Sequence, residues 1–240
     1  RHWSTRFYSP SIGSVNGISG EDDAMFLTGK FRVESRSRTS LILRWDQASD
    51  QLEVLGRPQT GWVGPVLTAG DSVFVAGNFD LGDGESRMYV YDRKEGSWTI
   101  ADAGLDHRVA DLTADTQGRV YALTRYIVDR TAPWYGQVYR WSGSGWEQMG
   151  GSVTGFPTSI SAGPNGVYLS IGKDTGSGDE VRRWHGAGWL RLRHQEGANA
   201  IDGAIEVLRH GPEGVLYAGG HFSVDGEPAA NNVAQWNGTK

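Results

Sequence analysis

Residues 215–240 read VLYAGGHFSVDGEPAANNVAQWNGTK, and this stretch decides the fold because weaker copies of it recur along the whole chain. It has three parts: an apolar run ending in Gly-x-aromatic (GGHF, 219–222), a polar loop rich in turn formers, and a second run carrying an aromatic into a turn (NNVAQWNG, 231–238). Apolar residues that alternate or run together suit a buried strand, and a glycine near its end lets a neighbouring backbone approach closely.

Outward from this unit, the first run reappears as AMFLTGKF (24–31), SVFVAGNF (72–79), RVYALTRY (119–126) and GVYLSIGK (166–173). The runs end at Phe31, Phe79, Tyr126, Lys173 and Phe222, at spacings of 48, 47, 47 and 49 residues. A period in this range marks a solenoid, a propeller or an array. With 35 Gly, 10 Trp and 8 Pro, short strand-like runs and no helical periodicity, the sequence reads as all-β. A uniform repeat over 240 residues predicts a single domain, 1–240: a five-bladed β-propeller with about 48 residues per four-stranded blade.

Four strands are expected per blade. The first strands fall at 14–20, 62–69, 108–114, 157–162 and 204–209, and the second are the runs quoted above. The third fall at 41–46, 88–92, 137–142, 180–185 and 231–237, and the fourth at 51–55, 97–101, 145–149 and 188–192. The fifth blade lacks a fourth strand unless the N-terminal 2–7 supplies it. Read across the two termini, Trp236 and Trp3 lie seven residues apart, as do Tyr91 and Trp98. The N-terminal strand is therefore expected to complete the C-terminal blade and close a monomeric ring, removing exposed sheet edges.

Composition excludes several functions. There is no cysteine, which rules out disulfide staples, thiol catalysis and thiolate metal sites. A net charge of −5 without a basic stripe argues against nucleic acid as a partner. No apolar run approaches the roughly 20 residues of a membrane-spanning helix, and no signal peptide is evident. Arg1 in place of an initiator methionine points to a processed chain or an excised domain.

GGHF followed by NNVAQWNG resembles the kelch-like, galactose-oxidase-type repeat of bacterial surface proteins, and is similar to that of the cortical cell-polarity marker family. The likeness is best in the fifth unit, fair in the second, and poor in the fourth, where Lys173 replaces the aromatic. It implies a propeller displayed outside the cytoplasm, secreted or at the cell surface. It transfers no catalytic residue, and without cysteine the copper chemistry of galactose oxidase is excluded.

Aromatics recur at fixed places: Trp45, Tyr91, Trp141, Trp184 and Trp236 on third strands, and Trp3, Trp98, Trp146 and Trp189 on fourth strands. One aromatic per blade at a constant place is most economically a wedge between blades. Such a ring removes roughly 150–250 Å² from water, which at about 25 cal/mol per Å² is roughly 4–6 kcal/mol gross. These rings are expected in the core.

Function is expected on the loops, which can vary without cost to the scaffold. The connections between second and third strands differ strongly, which suits one asymmetric site better than five equal ones. Trp134 and Tyr135 stand outside the wedge positions, beside Pro133 in the connection 127–136. Asn78 and His221 sit where second strands reach the same face, and His107 and His194 are placed to join it. The expected ligand-binding set is thus Asn78, His107, Trp134, Tyr135, His194 and His221, with no metal and no cofactor. Asp80, Asp83 and Glu85 in one loop, and Asp174 and Asp179 in another, are oxygen donors suited to calcium, but they read as solvated turns. Among inner-strand carboxylates, Asp111 and Glu206 are the pair a glycoside hydrolase would need. The expected function is a non-enzymatic, lectin-like module binding carbohydrate on the loop face. Protein–protein interaction or a scaffold role in a larger surface protein is the second reading, and a glycoside hydrolase the third.

Overall fold

The structure, a computed structural model, describes residues 13–21, 24–31, 39–82, 84–172, 178–192, 201–211, 213–224 and 231–236. Among these the fold is all-β, with twenty strands in five antiparallel sheets. The protein divides into two compact units, Arg1–Ile100 and Ala101–Lys240.

The first unit holds two sheets. One is β1 (Ser14–Glu21), β2 (Ala24–Phe31), β3 (Thr39–Asp46) and β4 (Gln51–Gly56) in that order; the other is β5 (Thr60–Ala69), β6 (Ser72–Asp80), β7 (Glu85–Asp92) and β8 (Ser97–Ile100). Apolar side chains of both sheets meet in one cluster that includes Ala24, Phe26, Ile42, Val63, Val75 and Tyr89, all at most 1% exposed.

The second unit holds three. The third sheet combines β9 (Val109–Ala114), β10 (Val120–Ile127), β11 (Trp134–Trp141) and β12 (Trp146–Gln148), with the short β13 (Val153–Thr154) pairing β11 beside β12. The fourth is β14 (Phe156–Gly163), β15 (Gly166–Gly172), β16 (Glu180–Trp184) and β17 (Trp189–Arg191), and the fifth β18 (Ile201–His210), β19 (Leu216–Val224) and β20 (Val233–Trp236). The expected closing strand 2–7 and Lys173 lie outside the described residues.

Each expected strand within the described residues corresponds to an observed one, and β2 coincides with 24–31. Three strands begin three residues earlier than expected, β7 at Glu85, β18 at Ile201 and β11 at Trp134 rather than 137. Trp and Tyr favour the pleated, half-buried environment of a strand, and here Trp134 and Tyr135 pair with Ile127 and Tyr126 of β10. Pro133 precedes the strand, where its missing N–H breaks no ladder bond.

The Gly-x-aromatic glycines do the job their position suggests. A Cβ on Gly29, Gly77 or Gly220 would collide with the carbonyl oxygen of Ser14, Trp62 or Ala204 on the facing inner strand. All five inner pairings also carry a register shift, at Val15/Gly17, Val63/Val66, Leu123/Thr124, Pro157/Ser159 and Ile205/Val207. Such bulges sharpen the local twist and re-aim side chains.

Within each unit, side chains of one inner strand bind backbone amides of the next. Ser19 Oγ accepts from the Thr68 N–H at 2.8 Å, Thr113 Oγ1 from Ala162 at 3.1 Å, and Ser161 Oγ from His210 at 2.9 Å. In the second unit a parallel set adds Asp111 Oδ2, which accepts from Ile160 N–H at 3.0 Å, and Ser159 Oγ, which accepts from Leu208 N–H at 3.1 Å. Asp111 therefore does what Ser159 does one repeat later.

The recurring aromatics form cross-strand pairs: Tyr91 with Trp98, Trp141 with Trp146, and Trp184 with Trp189. Their centroids lie 5.0, 5.2 and 5.3 Å apart. Buried indole N–H groups need partners. Trp98 donates to Leu55 O at 3.2 Å, Trp146 to Ala101 O at 2.7 Å and Trp189 to Met149 O at 3.4 Å. Trp146 is 5% exposed and lies in the core as expected, whereas the others are half-buried, with Tyr91, Trp98, Trp184 and Trp189 packing against the core from its margin.

Candidate ligand site

The β10–β11 end of the third sheet gathers more aromatic surface than a turn requires. Tyr126 near the end of β10 faces Tyr135 near the start of β11, and their rings stack at 5.5 Å with 21° between planes. His107, in the segment that leads into β9, stacks on Tyr126 at 3.8 Å, also at 21°. All three rings are half-buried. The Tyr126 hydroxyl lies 2.9 Å from Ser152 Oγ, which donates to Gln137 Oε1 at 2.9 Å. Gln137 is buried and also accepts from Gln148 Nε2 at 3.0 Å. This polar network holds the Tyr126 hydroxyl.

Alternation along β11 sends Trp134 to the opposite face from Tyr135. There it meets Phe156, the first residue of β14, edge to face at 5.2 Å and 84°. The Arg125 guanidinium lies over the same Phe156 ring, 4.8 Å from its centroid. Burial, and then the nearby charge of Arg108, push the Arg125 pKa below its ordinary value. Ile127 and Val128 next to it are 39% and 69% exposed.

The connection between the two strands is pinned by Asp129. Its Oδ1 accepts from Thr131 N–H at 2.8 Å, Thr131 Oγ1 at 2.6 Å and Ala132 N–H at 2.9 Å. Those bonds, the Thr131 hydroxyl first, hold the carboxyl pKa below the usual range. β13 pairs Tyr135 with Thr154 and Gly136 with Val153, so the outer edge of β11 is covered along the site.

The expected site residues are thus only partly brought together. His107 and Tyr135 join through Tyr126, and Trp134 lies on the other face of the same sheet. Asn78 belongs to the first unit, exposed on β6 and paired in register with Trp62. His221 is exposed on β19, with Nδ1 2.9 Å from Glu206 Oε1. His194 lies outside the described residues. Trp134 and Tyr135, expected in a loop, stand in a strand, because the β10–β11 hairpin continues three residues further than its apolar core. Tyr126, Phe156 and Arg125 complete the cluster without having stood out in the sequence. Tyr126 closes its repeat in the place held by Phe31, Phe79 and Phe222 in three other units, which reads as core.

Neither inner-strand carboxylate stands alone. Asp111 accepts from Ile160 N–H and from Ser159 Oγ at 2.7 Å and pairs with Arg209 at 3.3 Å. Glu206 sits on the β18 bulge and pairs with His221. Of the calcium candidates, Asp80 and Asp179 are engaged in turns and caps. Asp80 Oδ1 accepts from Gly82 N–H at 2.6 Å and Gly84 N–H at 3.0 Å, and Asp179 Oδ2 from Ile205 N–H at 2.6 Å. Asp83 and Asp174 lie outside the described residues. Among the described residues no group of three or more His, Asp or Glu could hold a metal ion. No helix among them is long and apolar enough to cross a membrane.

No protein-family profile matches this sequence, and neither does any curated protein. Solved structures do match. The protein is similar to the structure of YCF48 bound to D1 peptide, with a TM-score of 0.56 and 16% identity, covering 94% of this chain and 67% of that one. It is similar also to a nidogen/laminin complex structure, with a TM-score of 0.54 and 12% identity, covering 86% of this chain and 72% of that one. Both are β-propeller proteins. At such identities the likeness is one of fold. The five antiparallel sheets are repeats of β-propeller type.

Proposed function

We propose that this protein is a non-enzymatic recognition propeller that binds a peptide or protein segment at the β10–β11 end of its third sheet. The observation that carries the reading is the half-buried stack of His107, Tyr126 and Tyr135, backed across the sheet by Trp134, Phe156 and Arg125. Aromatic and arginine side chains are the residues that dominate polypeptide interfaces. Carbohydrate ranks second. A lectin offers open ring faces to the sugar, whereas here His107, Tyr126 and Tyr135 stack on one another. The similar structures include one bound to a peptide and one of a protein complex, which supports the same order.

The five sheets are five blades of one closed domain, 1–240, of kelch-like type. The N-terminal strand 2–7 adds beside β20, whose one partner among the described residues is β19. The proposed location is extracellular or at the cell surface. Parallel peptide and glycan arrays probed with the full-length protein test the ligand class. Peptide binding that weakens in Tyr135→Ala supports the reading, and binding to glycans alone rejects it.

A further inference from the structure

Among the described residues, the third sheet holds a cation without a counter-charge. Arg125 is half-buried, and no carboxylate among those residues pairs with its guanidinium, which rests on the Phe156 ring. It stands opposite Gly136 in β11, over which the apolar side chains of Pro157 and Val153 pack, so the position directly across from it carries no charge. Asp129, the acid nearest in sequence, spends its Oδ1 on its own turn. Arg108 adds a second positive charge, close enough to depress the Arg125 pKa after burial has done so. Several arginines elsewhere in this unit are matched by carboxylates, Arg119 with Asp115, Arg140 with Glu147, and Arg182 and Arg191 with Glu180, while Arg183 lies over the Tyr168 ring.

A half-buried guanidinium without a counter-ion raises the energy of the free protein, and an anion supplied from outside relieves it. A guanidinium stacked on an aromatic ring keeps its fork of donors in one plane, which suits a carboxylate held by two parallel bonds. Beside it, Trp134 and the exposed Ile127 and Val128 offer apolar surface.

We infer that Arg125 receives a carboxylate of the peptide ligand, with an apolar side chain of the same ligand lying against Trp134 and Ile127. This rests on the peptide reading above and specifies its chemistry. The carboxylate belongs either to an Asp or Glu side chain or to the peptide's free C-terminus.

The test uses fluorescent octapeptides selected on the full-length protein, each remade in matched forms: Asp and Glu kept or changed to Asn and Gln, and C-terminus free or amidated. Removing the receiving carboxylate is expected to weaken binding to the native protein about tenfold or more, the usual size for a charged hydrogen bond. Whether the side-chain or the C-terminal change does so identifies the source. In Arg125→Gln the acid and amide forms should bind alike, and Arg125→Lys should retain part of the preference. Unchanged circular dichroism and melting temperature confirm that both variants fold. Full acid preference in Arg125→Gln, or peptides that need Tyr135 yet ignore their own charge, overturns this inference and leaves the peptide reading standing. No peptide binding at all overturns both.

Discussion

His107 and Tyr126 stack with ring centroids 3.8 Å apart and planes 21° from parallel. The contact ties the segment that leads into β9 to the far end of β10, so the site is built from two separate connections. Half-buried rings at such a junction contribute more to binding than to folding. His107→Ala is expected to leave the unfolding free energy within about 1 kcal/mol of the native value and to weaken peptide binding about tenfold. Calorimetry and urea titration read the two effects separately. An equal loss in both would place His107 in the core.

Asp111 is a clamp between inner strands. Replacing it with alanine strips the Ile160 N–H and Ser159 Oγ of an acceptor and removes the carboxylate that pairs with Arg209. A hydrogen bond to a charged group contributes roughly 1.5–3 kcal/mol, so Asp111→Ala should lower unfolding free energy by about that much. Peptide affinity should not change. An Asp111→Ala variant as stable as the native protein would contradict the clamp.

His210 gives stability a pH dependence of known sign. Its Nδ1 lies 2.9 Å from Ser161 Oγ, and its Nε2 is buried without a partner among the described residues. Burial lowers its folded-state pKa below the reference value of 6.5. The unfolded state therefore binds the proton more readily, and stability rises with pH across this window. The contribution is complete above the reference value and is lost as pH falls from there to the folded-state pKa. Urea midpoints measured from neutral to mildly acidic pH should decline, with a shallower slope in His210→Gln. Equal slopes would remove His210 as the source.

The repeat was legible because its signals are local. A strand run ending in Gly-x-aromatic, at near-constant spacing, locates β2, β6, β10, β15 and β19 to within two residues. The paired tryptophans read as packing for the same reason. Half of the site was legible too, since Trp134 and Tyr135 break the repeat. Tyr126 and Phe156 were hidden because an aromatic at a strand end looks the same whether it faces a core or a ligand. Arg125 could not be read, because its want of a counter-charge depends on Asp129 turning inward and on Gly136 standing opposite. The inner-strand hydroxyls left a faint trace: Ser19, Thr113 and Ser161 share one place in their repeats, while Leu67 and Arg209 occupy it in the other two.

The proposed ring closure by the N-terminus predicts a large effect from a small deletion. Removing residues 1–7 should expose the outer edge of β20 and lower the melting temperature of the whole protein, with new aggregation through the open edge. Scanning calorimetry and light scattering measure both. A deletion variant that melts like the native protein would remove the N-terminal strand from the fold.

The central claim is that a peptide binds at the β10–β11 end of the third sheet, and mapping backbone amide shifts during titration with a selected octapeptide tests it most directly. The predicted result is a contiguous set of perturbed amides around His107, Arg125 to Val128, Trp134, Tyr135 and Phe156, absent in Tyr135→Ala. Perturbations confined to Asn78, or to Glu206 and His221, or the absence of any saturable shift, would contradict it.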